Sequence, residues 1–314
     1  MISRGQAVVL VAGFLVLALV PAAAATLNEP FYLDLFRRIM IFAIAAVSLD
    51  LILGYGGMVS FGHAAYLGIG AYAVAVPAFY GIESGLVQWT LAVLASAAAA
   101  LVIGAVSLRT SGMSFIMITL AFAQMFYYLG ISINAWGGDD GMRLARRSRL
   151  PALDLADATV FYYVVLAILV GLLWLGHRLV HARFGIVIRA TRSNEARMRA
   201  IGFSTFRYKL AAFVLAGAGC GLAGALLTNQ TDYVTPSYMH WTRSGEIMVM
   251  VILGGMGTLV GPVLGAAAYL LLEDVLSAWT VHWQIVLGPL LVLVVLYARR
   301  GLYGLLPGSA PRDG

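Results

Sequence analysis

Long apolar runs separated by short polar links dominate the chain. Ile39 to Ile82 carries a single charge, Asp50, and Ser84–Leu108, Thr110–Gly138, Leu210–Thr231 and Ile247–Leu272 carry none. A membrane-spanning helix needs about 20 mostly apolar residues, so each run is long enough to cross. The pattern predicts an all-α polytopic membrane protein with ten transmembrane crossings, near 7–25, 37–54, 62–80, 86–108, 112–130, 160–180, 209–228, 244–255, 258–276 and 282–298. The 33 residues from 244 to 276 are too many for one helix through a core of about 30 Å. The stretch "LGGMGTLVGP" supplies a break there, which leaves the eighth crossing short, closer to a half-helix than to a full span. A single transmembrane domain covers 1–314.

Composition sharpens the class. The 314 residues are 61% hydrophobic and only 11% charged, and the mean hydropathy is +0.91, which excludes a soluble globular domain. Charge then orients the spans. Eight of the 20 basic residues lie between Arg178 and Lys209, so the positive-inside bias places the loop 181–208 in the cytoplasm. Counting crossings in both directions puts both termini there too, with Arg4 at one end and Arg299, Arg300 and Arg312 at the other. The same count places the loop 131–159 outside, although it holds Arg143, Arg146, Arg147 and Arg149. Asp139, Asp140, Asp154 and Asp157 lie nearby but count little in that bias. As the longest loop on its face, 131–159 is a candidate for a small folded cap. The apolar run Ala7–Val20 followed by "PAAAAT" resembles a cleaved signal peptide. With so many spans following, a retained first span is the better reading. The positive-inside bias also accounts for the net charge of +6 without nucleic acid.

Several chemistries are excluded. The only lysine is Lys209, between Tyr208 and Leu210, so there is no phosphate-binding P-loop, and any ATP and Mg belong to a partner. His177 and His181 have the i, i+4 spacing of a metal pair but no neighbouring carboxylate, so no metal site is expected. No Ser–His–Asp arrangement can be argued, and the expectation is a protein without catalysis of its own. The single Cys220 lies in an apolar run and excludes an intrachain disulfide framework.

Three segments carry candidate chemistry. "SLDLILGYGGMVSFGHAAYLGIGAY" (48–72) contains six glycines, and Leu253–Tyr269 repeats its "GGM" triplet. Paired Gly-interrupted segments in two halves of a membrane protein point to a translocation path, with Gly56, Gly57, Ser60, His63, Gly254, Gly255, Gly257 and Thr258 as its candidates. Close packing of small residues is the competing reading, and both can hold together. Asp50, the one carboxylate deep in an apolar run, reads as a structural cap near a helix end. The third segment, in the cytoplasmic loop, is "RATRSNEARMRAIGFSTFRYKL". Ser193 or Asn194 is a cap, Glu195 sits in the favourable first turn, and Gly202 stops the helix. Arg192, Asn194, Glu195, Ala196, Arg199, Ala200 and Gly202 are the candidates for a docking surface. A helix lying on lipid fits the same composition.

These three blocks, together with "WGGDDGM" in the outer loop, resemble the membrane permeases of branched-chain amino-acid ABC importers, of the LivM type within the LivH/LivM pair. The resemblance covers nearly the whole chain in order. It implies a bacterial inner-membrane subunit of ten helices that pairs with a homologous permease, two cytoplasmic ATPases and a periplasmic binding protein. It makes 131–159 a periplasmic loop and 181–208 a coupling loop that docks on the ATPase. Glu195-Ala196 is followed by Gly202 at a spacing of seven, where the wider importer pattern has six and a second Ala. Branched-chain amino acids are the leading substrate; urea, short amides or aromatic acids fit the same architecture. A secondary transporter or channel driven by an ion gradient is the alternative of another class. The lack of paired intramembrane acids in the sequence weighs against it.

Overall fold

The computed structural model describes residues 4–27, 29–144, 146–151, 153–297 and 301–305. The C-terminal cations Arg299, Arg300 and Arg312 lie outside the described residues. Ten helices occupy the ten apolar segments: α1 (Arg4–Leu27), α2 (Pro30–Asp50), α3 (His63–Phe79), α4 (Gly85–Ser107), α5 (Met113–Ser132), α6 (Ala158–His181), α9 (Thr205–Thr231), α10 (Trp241–Gly254), α11 (Gly261–Trp279) and α12 (Trp283–Tyr297). Two further helices, α7 (Arg183–Ser193) and α8 (Glu195–Ala200), lie in the basic loop. Five of the described helices, α4, α5, α6, α9 and α11, are long and apolar enough to cross a membrane by length and composition.

Helix ends follow local chemistry. Pro30 opens α2, where a missing N–H costs nothing. Asp157 caps α6 by accepting from the Thr159 N–H at 2.7 Å. The centre of the molecule is α9, which packs against α2, α3 and α4. Its small residues allow this: a Cβ on Gly221 would strike Ser96 of α4, and one on Gly224 would strike the Leu67 carbonyl of α3. Such small-residue seams draw membrane helices together where no hydrophobic difference from lipid can do so.

The 27 residues of α9 span about 40 Å, which separates its two ends onto opposite faces. At the far end, the short strands β1 (Met142–Arg143) and β2 (Tyr233–Val234) pair antiparallel, so the 131–159 loop sits beside the C-terminus of α9. The loop between α3 and α4 joins them: the Arg149 N–H donates to the Glu83 carbonyl at 2.7 Å, and the Gly85 N–H to the Arg149 carbonyl at 2.7 Å. The 131–159 loop is therefore a folded cap on the face opposite α7 and α8. Its arginines are partly neutralised there. Arg149 pairs with Glu83 at 3.0 Å, and Arg147 approaches Asp232 at 3.4 Å as an ion pair without a hydrogen bond.

Candidate functional site

The two glycine-rich breaks meet at the end of the bundle that carries α7 and α8. After Asp50, helix α2 continues through one π-helical turn, Leu51–Tyr55, and the chain then runs without helix to His63. In the other break, the chain turns between α10 and α11 through Gly255, whose φ of +117° suits glycine alone. Asp50 ties the two together. It is almost fully buried, and its Oδ1 accepts the Gly257 N–H at 2.8 Å. The expected structural cap is thus real, but Asp50 caps the opposite break rather than its own helix. Gly54 is the point of closest approach. A Cβ there would overlap both the Asp50 carboxylate and the Gly257 nitrogen.

The basic loop enters the same junction. The Arg192 guanidinium, from the last turn of α7, donates to the Gly54 carbonyl. Gly57 has a φ of +67°, and a Cβ on it would lie 2.8 Å from Arg192 Cγ. A cavity of about 300 Å³ opens beside these groups, lined in part by Gly56, Gly57, Arg192, Glu195 and Lys209.

Helix α8 is fixed from both sides. Asn194 Oδ1 accepts from the Arg197 N–H at 2.9 Å, and Gly202 follows the helix with φ +91°. The Glu195 carboxylate accepts from Lys209 Nζ at 2.5 Å and Thr205 Oγ1 at 3.0 Å, and pairs with Arg199 at 3.4 Å. Partial burial alone would raise the Glu195 carboxyl, but the hydrogen bond and charge of Lys209, the Thr205 hydroxyl and Arg199 outweigh it. They hold the carboxyl below the usual carboxylate range. Glu195 therefore pins α8 to the start of α9. Met198 is buried beneath α8, while Ala196, Ala200, Ile201 and Phe203 are exposed, as is Ile186 on α7.

The remaining candidates have different positions. Gly254 is a packing residue, since a Cβ on it would strike the Gly261 carbonyl, just as a Cβ on Gly265 would strike the Met250 carbonyl, while Gly255 turns the chain through its positive φ. Thr258 shapes its own turn, donating to the Gly255 carbonyl at 2.7 Å and accepting from the Gly261 N–H at 3.1 Å. Ser60 and His63 are fully buried; Ser60 Oγ accepts from the Gly62 N–H at 3.1 Å, and the His63 ring packs edge-on to Tyr66. Neither lines the cavity beside Gly56 and Gly57. Three contributors escaped the sequence reading. Thr119 of α5 accepts from the Phe61 N–H at 3.2 Å. Ser244 of α10 accepts from the Ala64 N–H at 2.8 Å and donates to the Phe61 carbonyl at 2.7 Å. Gly54, within the glycine-rich stretch, had a signal; the two hydroxyls had none. Helix α7 was also missed, because the reading began the structured part of the loop at Ser193 and α7 precedes it. Among the described residues, no group of three His, Cys, Asp or Glu side chains converges on a metal position.

A polytopic helical bundle with two fused Gly breaks and a basic two-helix loop at one end has the form of a membrane permease. The family described as the permease component of the branched-chain amino acid transport system matches residues 31–296, and the chain belongs to that family. It is similar to the high-affinity branched-chain amino acid transport system permease protein LivM of Salmonella typhimurium and of Escherichia coli. The identities are 29% and 28%, over 89% of this chain and 71% of each relative. The LivH permease protein of Escherichia coli is 23% identical over 84% of this chain and 91% of its own. No solved structure matches significantly.

Proposed function

We propose that this chain is a transmembrane subunit of an ATP-driven importer of branched-chain, hydrophobic amino acids in the bacterial inner membrane. In that importer it pairs with a homologous permease. A periplasmic binding protein delivers the substrate to the face that carries 131–159. Two cytoplasmic ATPases, which hold the ATP and Mg, dock on the face that carries α7 and α8, and both termini lie on that cytoplasmic face. Family membership and the LivM and LivH relatives support the substrate and favour this reading over an ion-driven transporter.

The observation that carries the coupling is the continuous contact from Arg192 through Gly54 and Asp50 to Gly257. Movement of α7 and α8 on an ATPase reaches both breaks in the bundle through that chain, without crossing a flexible segment. The exposed apolar face of Ala196, Ala200 and Ile201 supplies the contact surface, flanked by Arg192 and Arg199. Glu195 fixes the helix rather than reaching for the partner, so a change there would unsettle α8 itself.

Ala200→Trp tests the surface, because Ala200 is exposed and its replacement leaves α8 intact. Docking predicts loss of ATPase co-purification, or of substrate-stimulated ATP hydrolysis in reconstituted membranes, by at least about tenfold, the effect of 1.4 kcal/mol. A helix lying on lipid welcomes the indole at the interface. Wild-type values in both assays rule out the docking face.

A further inference from the structure

A second cavity, of about 200 Å³, lies towards the opposite end of the bundle, between α2, α3, α9 and α10. Its wall holds groups that the import reading has not used. Arg38 of α2 and Arg243 of α10 both line it. Neither is a bare cation: Arg38 pairs with Glu273 of α11 at 3.1 Å, and Arg243 with Glu246 at 2.6 Å. Four ionised side chains, each only partly exposed, gather at one cavity of a bundle this apolar, a placement that suits a ligand path. The wall also contains Gln230, whose Oε1 is buried and meets no hydrogen-bond donor among the described residues. Its Nε2 is engaged, donating to the Asp34 carbonyl at 2.9 Å, which fixes the amide with the oxygen as the free acceptor. Phe42, Leu67 and Leu227 make the rest of the wall apolar.

We propose that this cavity binds the imported solute as a free zwitterionic amino acid on its way through the bundle. The ligand carboxylate lies towards Arg38 and Arg243, the ammonium donates to Gln230 Oε1, and the aliphatic side chain packs on Leu67 and Leu227. This inference rests on the proposed import of hydrophobic amino acids. The charges favour a zwitterion over an anion or a cation. The two arginines are already matched by two glutamates, so a ligand with no net charge enters without leaving either sign in excess. The volume lies below the roughly 300–1,000 Å³ of drug-sized pockets, which suits a single amino acid. The Gln230 Oε1, which meets no donor among the described residues, gives the ammonium a buried acceptor. A phospholipid headgroup with an ammonium shares this chemistry, and the test separates the two.

The assembled importer is placed in nanodiscs of phosphatidylglycerol alone, without binding protein, and equilibrium binding of radiolabelled leucine is measured. The wild type is expected to bind saturably. Gln230→Leu is expected to weaken binding at least tenfold, and Gln230→Glu to retain it, because Glu keeps the acceptor. Both variants lose the bond to the Asp34 carbonyl. Equal loss in the two therefore assigns Gln230 a structural role and overturns the proposal, as does unchanged binding in Gln230→Leu. Leucine binding that disappears when phosphatidylethanolamine is added identifies a lipid occupant and overturns it too. Leucine uptake, measured in parallel with the binding protein present, separates the two claims. Uptake without saturable binding removes this site and leaves the import reading standing, whereas a wild-type importer that takes up no hydrophobic amino acid removes both.

Discussion

The two glycine breaks look alike in sequence and are built differently. The 255–260 break is closed almost wholly by its own residues, the exception being the Gly257 N–H that Asp50 of α2 accepts. The Gly255 N–H donates to the Val251 carbonyl at 3.0 Å, Thr258 closes the turn, and Gly254, Gly261 and Gly265 pack backbone on backbone. The 56–62 break borrows its partners. Thr119 of α5 and Ser244 of α10 hold Phe61 and Ala64, and Arg192 of α7 holds Gly54. Backbone freed from a helix inside a membrane protein must find partners within the protein. Where the partners come from decides what the break responds to. The first is a locally closed turn of the α10–α11 hairpin, joined to the rest of the bundle at Gly257. The second is tied to three other helices, including the one offered to a partner, and moves when they move.

The largest expected effect tests the point where the breaks touch. Gly54→Ala places a methyl group where the Asp50 carboxylate and the Gly257 nitrogen already sit, and neither is the end of a flexible chain. Import should fall below detection and thermal unfolding of the purified chain should drop by several degrees. The matched change Gly13→Ala meets no atom within 4 Å and should leave both unchanged. A wild-type Gly54→Ala would mean the two breaks do not approach as described.

A smaller effect separates borrowed from local partners. Ser244→Ala leaves the buried Ala64 N–H without an acceptor, which costs about 1–3 kcal/mol, and should loosen exchange protection across 56–64. Thr258→Val removes the bond to the Gly255 carbonyl and the one from the Gly261 N–H, the latter worth about 1 kcal/mol as a lost cap, and should loosen only 255–263. If Thr258→Val exposes 56–64 as strongly as Ser244→Ala does, the breaks form one unit and the contrast fails.

Much of the fold was legible because apolar run length, charge-free stretches and crossing parity are properties of the chain itself. The ten segments became ten helices, with α10 at 14 residues, about 21 Å, as short as the sequence implied. The folded cap was legible only as a length; its β pairing with 233–234 depends on residues some 90 positions away. The charge cluster at the outer cavity was missed for a related reason. Glu246 and Glu273 flank the charge-free run 247–272 and look unrelated until the run folds into a hairpin. Glu273 then arrives beside Arg38 and Glu246 beside Arg243, and the two arginines line one cavity. His63 was chosen as a path residue because a polar ring is conspicuous among glycines, yet helix packing buries it fully. A period-based reading sees which residues are polar, but not which neighbour a non-helical link will meet.

The smallest effect concerns the firmness of the moving part. If the 56–62 break responds to α7 and α8, those helices must be held as one piece with the start of α9, and Glu195 does the holding. Its carboxyl lies below the ordinary value of 4.5 because of Lys209, Thr205 and Arg199. A group whose folded value is lowered contributes its stabilisation fully above the unfolded value and loses it as pH falls through the folded one. Protection of the α8 amides, corrected for intrinsic exchange, should therefore be flat from neutral pH down to about 4.5 and decline below it. The change should be modest, about 1 kcal/mol or less, since the pair is partly exposed. Glu195→Gln should show the loosened state at every pH and no acid-dependent decline. Lys209→Met should loosen α8 at neutral pH and leave a smaller acid-dependent decline, because Thr205 and Arg199 still hold the carboxylate. Acid-dependent loosening that persists in Glu195→Gln would place the titrating group elsewhere and leave α8 without its clamp, and the 56–62 break would then have no firm lever to follow.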